Sequence, residues 1–213
     1  MTDAVAAISD DGARLATEEV RDLSDLDMDD LISAAHDAIA LDGGFGWLRP
    51  PAHSIMRQYW RGVLLIPERR LFVARLDDTI CGSVQLHFSS AQNEAQRLVG
   101  RLSTFFIAPW ARGRGLGSRL LVHAEATARE SGLLALELNL RATQERARQT
   151  FEARGYKNWG INPHYARIEG RWVSGYSYSL SLIDGEGEDG GDGDGGGDSH
   201  GDGDGDDEGG GER

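Results

Sequence analysis

Ala111 to Leu121 reads ARGRGLGSRLL. Three glycines at alternate positions, Gly113, Gly115 and Gly117, leave the backbone without Cβ atoms where a ligand could approach it. The main-chain N–H groups of such a loop, together with the first turn of a following helix, make an anion site. Arg112, Arg114 and Arg119 add positive charge in a fork geometry suited to phosphate oxygens. A pyrophosphate is the natural occupant. A Walker A loop would need a lysine that is missing here. A dinucleotide fingerprint would need G-x-G-x-x-G in an N-terminal βαβ unit, whereas the spacing here is G-x-G-x-G after a predicted hairpin. A plain glycine-rich turn with surface arginines remains the bland alternative.

The flanks of the loop read as alternating elements. Leu102 to Ala108 (LSTFFIA) predicts a strand entering the loop, and Leu116 to Glu130 a helix leaving it, closed by Ser131-Gly132. Upstream, residues 13–23 predict a short strand. An acidic run from Ser24 to Asp30 suits a helix N-terminus, with Leu31, Ile32, Ala35 and Ile39 at helical spacing and Gly43-Gly44 as the stop. Pro50-Pro51 open a second helix. Leu71–Leu76 and Ile80–Phe88 predict a hairpin around Asp77-Asp78-Thr79. Downstream come a strand over Leu133–Leu140, a helix capped by Thr143 and stopped by Gly155, and strands over Tyr156–Ile161 and Trp172–Leu182. The order is α+β (mixed α/β).

The chain has 213 residues and a formal charge of −13. Residues 184–213 hold thirteen acidic residues, one basic residue and fourteen glycines, so the rest of the chain is near neutral. That composition cannot offset its ordering entropy, and the expectation is a disordered acidic tail. Asp-Gly repeats also suggest a calcium-binding array, but the hydrophobic residues of such repeats are missing. Residues 1–12 are expected to be a flexible N-terminus and 13–183 the folded domain. No basic excess argues for nucleic acid, and no apolar run approaches the roughly 18 residues of a membrane span. The acidic stretch Met1 to Asp11 does not read as a signal peptide. Cys81 is the only cysteine, so no disulfide or cysteine-based metal site is expected. These features fit a cytoplasmic protein, and no metal is expected.

R-x-x-G-x-G at Arg112–Gly117, after a strand ending Ile107-Ala108-Pro109, resembles the CoA-binding motif of the GNAT acetyltransferase superfamily. Ala147 to Tyr156 (ARQTFEARGY) resembles that family's later helix, and GSVQL at Gly82–Leu86 the hairpin strand of its small-molecule members. The resemblance covers residues 13–183 in element order. It implies a central, mostly antiparallel sheet of six to seven strands with a splayed pair, flanked by four helices. It also implies acetyl-CoA as acyl donor and direct attack by a primary amine of a small molecule. The pantetheine arm would pair with Phe105, Phe106 and Ile107. The pyrophosphate would lie on Arg112, Gly113, Arg114, Gly115, Leu116, Gly117 and Ser118, with an oxyanion donor near Ile107. Gln144 stands where the family has an asparagine that holds pantetheine.

One departure bears on catalysis. The family's general-acid tyrosine aligns with Phe151, whose ring carries no proton to give. Tyr165, in the predicted loop before the last strand, is the substitute, with water as the other proton source. Glu94 and His87 are the candidate bases. The resemblance places the acceptor among Phe45, Trp47, Tyr59, Trp60, His164 and Tyr165, with core the favoured reading of Tyr59 and Trp60. Two other readings stay open: a non-catalytic acyl-CoA-binding module, motivated by Phe151, and a peptide N-acetyltransferase. A homodimer is also left open.

Overall fold

The structure, a computed structural model, describes residues 5–8, 12–90 and 92–183. The tail expected over 184–213 lies outside the described residues.

Twelve principal elements follow one another: β1 (Val5–Ile8), β2 (Arg14–Val20), α1 (Asp25–Asp42), α2 (His53–Leu64), β3 (Arg69–Leu76), β4 (Thr79–His87), β5 (Val99–Ile107), α3 (Leu116–Glu130), β6 (Ala135–Arg141), α4 (Glu145–Ala153), β7 (Lys157–Ile168) and β8 (Arg171–Ser181). The strands form one sheet in the order β1-β2-β3-β4-β5-β6-β8-β7. Every pairing is antiparallel except β5 with β6. The sheet has eight strands where six to seven were expected. The extra one is β1, which pairs Val5–Ile8 with Arg14–Thr17 inside the stretch read as a flexible N-terminus. Four alternation-poor residues, VAAI, carry too little pattern to announce a strand.

Local chemistry sets the boundaries. The Ser24 hydroxyl caps α1 by accepting the Asp27 N–H at 3.1 Å, and Gly43, at φ 61°, closes it by donating to Ile39 O. Asp77 and Asp78 both have positive φ, which suits the two-residue turn between β3 and β4. Gln144, not Thr143, is the N-cap of α4, and it makes no side-chain cap bond. The last hairpin is longer than expected. β7 runs to Ile168, so Tyr165 lies on a strand rather than in a loop.

The sheet separates two cores. Leu116, Leu120, Leu121 and Ala124 of α3 and Phe151 of α4 pack on Leu86, Leu102, Leu136 and Leu138. On the opposite face Leu31, Ile32, Ala35 and Ile39 of α1, with Met56, Trp60 and Val63 of α2, pack on Leu71, Val73, Ile80 and Phe106. Trp60 is fully buried there, which makes it core, the favoured of its two readings.

β5 and β6 pair only at Val99↔Ala135, Gly100↔Leu136 and Arg101↔Glu137. Beyond Arg101 and Glu137 the two strands diverge, and the gap opens toward the glycine loop and the start of α3. This splay is where the site is built.

Candidate active site

A cleft of about 530 Å³ occupies the wide end of the splay. Its walls are Phe105, Phe106 and Ile107 of β5, Ala111–Gly113 and Gly115–Ser118, the end of α1 from Asp42 to Phe45, and Thr143–Ala147 with Thr150. The structure therefore gathers Phe105, Phe106, Ile107, Arg112, Gly113, Gly115, Leu116, Gly117, Ser118 and Gln144 around one cavity.

Gly113 and Gly115 have φ of 82° and 75°, values that L side chains rarely adopt. Gly115 is the N-cap of α3, and the first intrahelical bond there runs from Arg119 N–H to Gly115 O. Helix geometry thus leaves the N–H groups of Leu116, Gly117 and Ser118 without intrahelical acceptors, at the positive end of the dipole. No acidic residue lies in that first turn to neutralise it. Gly117 faces the cleft floor, where a Cβ would stand 3.2 Å from the Phe105 ring and 3.7 Å from the Ile107 side chain.

Arg112 is partly committed. Its guanidinium donates to Ile107 O at 2.9 Å and pairs with Asp42 at 2.7 Å, and its N–H donates to Pro109 O. It ties the loop to β5 and α1 with two of its five N–H donors while still lining the cleft. Gln144 is partly committed as well, since its Oε1 accepts the Arg141 N–H at 3.2 Å.

Along β5 the amide directions alternate. Ala108 N–H bonds Cys81 O of β4 and Phe106 is in register with Ser83, so the N–H and C=O of Phe105 and Ile107 point into the gap. Thr104 interrupts the pairing as a bulge at φ 53°, a strained setting for a β-branched residue. Its hydroxyl sits in a polar row on the α1–α2 face of the sheet. Gln85 Nε2 donates to Thr104 Oγ1 and to Tyr59 OH, both at 3.0 Å. Ser103 Oγ lies 3.4 Å from Thr104 Oγ1 and 2.5 Å from His87 Nε2. Burial, reinforced by Arg69 and Arg101, pushes the His87 imidazole down to about 4, so it is neutral at physiological pH. Burial pushes the Cys81 thiol up to about 12, and its Sγ donates to Ala74 O, which fits a structural thiol.

Alternation along β6 sends Leu136, Leu138 and Leu140 into the α3 core and Glu137, Asn139 and Arg141 to the other face. There Glu137 accepts from Arg101 at 2.6 Å, and Asn139 Oδ1 accepts from Ser177 at 2.8 Å. Tyr165 packs straight onto Gly175, where an added Cβ would meet its ring. Gly175 is the register partner of Arg141, so the Tyr165 ring shares the face of Arg141 and Asn139. Tyr165 does not line the cleft itself, and neither does Glu94, exposed on a 3-10 turn between β4 and β5. His164 stacks on Trp172 further out on the hairpin, at a centroid distance of 5.0 Å. Phe151 is buried behind Phe105, ring centroids 5.0 Å apart. The Thr104 bulge and the Glu137–Asn139–Arg141 row had escaped notice, although the alternation LELNLR carries the second.

Residues 28–156 match the model of the acetyltransferase (GNAT) family. The chain belongs to that family. Over 132 residues, 62% of this chain and 79% of the relative, it is 50% identical to an uncharacterized N-acetyltransferase in the hisH-hisA intergenic region of Azospirillum brasilense. The fold recurs in a putative phosphinothricin N-acetyltransferase (TM-score 0.65, 20% identity, 79% of this chain and 99% of that one). It recurs again in a putative acetyltransferase from Salmonella typhimurium solved with its cofactor acetyl-CoA (TM-score 0.65, 15% identity, 83% of this chain and 98% of that one). GNAT membership makes this chain an acyltransferase of the N-acetyltransferase kind, built on an α+β sheet with a splayed pair.

Proposed function

We propose that this chain transfers an acetyl group from acetyl-CoA directly to a primary amine of a small molecule. The observation that carries the reading is the splay of β5 from β6, with the orphan N–H groups of Leu116–Ser118 at its wide end. The fit to CoA rests on this chain's own atoms. Gly117 leaves open the floor that a Cβ would narrow, Phe105 and the N–H of Ile107 offer strand amides to the pantetheine while Arg112 holds Ile107 O, and Gln144 lines the opposite wall. Arg114 belongs to the same loop. Acetyl-CoA supplies an activated acyl group on a thiol leaving group; the protein's part is to orient it and to move protons.

The attacking amine must shed a proton. For the base, geometry favours His87 over Glu94, since His87 is neutral and bonded to Ser103 on the polar row beside Thr104. Phe151 gives no hydroxyl, and Tyr165 is the one we assign to return a proton to the departing thiolate, because its ring lies on the face of Asn139 and Arg141. The small-molecule reading, against a peptide acceptor, rests on the aromatic pair of Trp47 and Tyr59, an apolar surface suited to a small acceptor. Competition between free amines and peptide N-termini for acetyl-CoA tests it. Faster acetylation of a peptide than of every free amine would reverse this acceptor assignment.

A further inference from the structure

Arg141, half-buried beside the cleft, carries a guanidinium nitrogen that finds no acceptor among the described residues. Several neighbouring arginines are answered: Arg101 by Glu137, Arg112 by Asp42, Arg148 by Glu145 and Glu152, Arg154 by Glu125. Arg141 Nη2 is buried and meets no hydrogen-bond acceptor, and no carboxylate among the described residues pairs with this side chain. A guanidinium cannot shed its proton, so it must stay charged. A buried charge without a partner is costly, and such a cost persists where a ligand relieves it. The carbonyl end of α1 offers only a partial negative charge.

Its position narrows the ligand. Arg141 ends β6 and reaches toward the end of α1, where its guanidinium nitrogens lie 3.1 and 3.3 Å from where a Gly43 Cβ would stand. Gly43 lines the cleft, so the charge sits at the junction of the cleft and the open face. The phosphate cradle occupies the other lip, at Gly113–Ser118. On the face that Arg141 shares with Asn139, the polar groups Glu137, Ser177 and Tyr165 surround the place where an acceptor would lie. Phe45 and the Trp47–Tyr59 pair form an aromatic wall nearby. Resting on the acetyl-transfer reading above, we propose that the acceptor is an amino acid, and that Arg141 receives its free carboxylate while the aromatic wall takes its side chain. The gap between Asn139 and Ser103 then holds the amine facing the thioester.

The test uses the full chain and matched acceptors: apolar L-amino acids, their carboxamides and the decarboxylated amines. The expected result is a preference of about 10- to 100-fold in kcat/KM for the free acids, carried by KM. Arg141→Gln erases that preference by raising KM for the acids alone, Arg141→Lys restores part of it, and KM for acetyl-CoA stays at the parental value in both. Equal use of acid and carboxamide by the parent overturns the proposal while leaving acetyl transfer standing. A rise in KM for acetyl-CoA with unchanged acceptor KM in Arg141→Gln also overturns it, and assigns the guanidinium to pantetheine. Tight CoA binding without turnover of any amine would instead sink the transfer reading beneath it. Should Arg141→Gln fail to fold, the parent's acid-to-carboxamide ratio decides alone.

Discussion

Gly117 separates binding from stability. It lies in the first turn of α3, where alanine is a better helix former than glycine by about 1 kcal/mol. The new Cβ of Gly117→Ala would stand 3.2 Å from the Phe105 ring, which must yield by a few tenths of an ångström. The two effects oppose, so stability should stay within about 1 kcal/mol of the parent. Gly117→Val adds two more carbons against Phe105 and Ile107. Phe105 backs onto the buried Phe151, so it can yield only into the cleft. Losing one or two hydrogen bonds to a charged ligand there weakens CoA binding by about 10- to 1000-fold. Urea unfolding and calorimetric titration with CoA read the two quantities separately. A folded Gly117→Val variant that binds CoA as tightly as the parent would refute the placement of the cofactor on this loop.

Gly175→Ala evicts the Tyr165 ring, which lies against the Gly175 Cα; kcat should fall as far as in Tyr165→Phe, about 100-fold, with CoA affinity unchanged, and parental kcat in both variants would hand the proton transfer to water. Glu125 is 1% exposed and paired with Arg154, Nε to Oε1 at 2.8 Å, so Arg154→Met strands a buried carboxylate and should cost about 3–5 kcal/mol in urea unfolding, more than the double variant Glu125→Leu/Arg154→Met. His87 is held neutral, with its folded value near 4 below an unfolded value of about 6.5. Its contribution is therefore full above about 6.5 and is lost as pH falls from there toward 4. His87→Gln should flatten that part of the stability–pH curve, and an unchanged slope would show that the imidazole titrates normally.

The glycine loop and the later helix were legible because their chemistry is local. Alternate glycines, a following amphipathic helix and the ARQTFEARGY stretch each fix a short piece of backbone. Gaps in that reading came from tertiary partners that spacing cannot show. Arg112 reads as a free phosphate ligand, and spacing cannot show that Asp42, seventy residues earlier, shares it. Tyr165 reads as a loop residue because Pro163 and His164 break the apolar pattern, yet β7 continues through a bulge to Ile168. The short β1 depends on its pairing with β2 for existence. Arg141 could be placed on a polar face from LELNLR, but only the packed fold reveals that its Nη2 is buried without an acceptor among the described residues.

The central claim is transfer rather than mere binding, and the stoichiometry of one reaction tests it most directly. Purified full-length chain is mixed with acetyl-CoA and a panel of amines, and released thiol and N-acetylated product are quantified together. The account predicts one acetylated amine per CoA thiol released, at a rate that depends on the amine. CoA bound in a defined stoichiometry, with no thiol release above spontaneous hydrolysis for any amine, would contradict it.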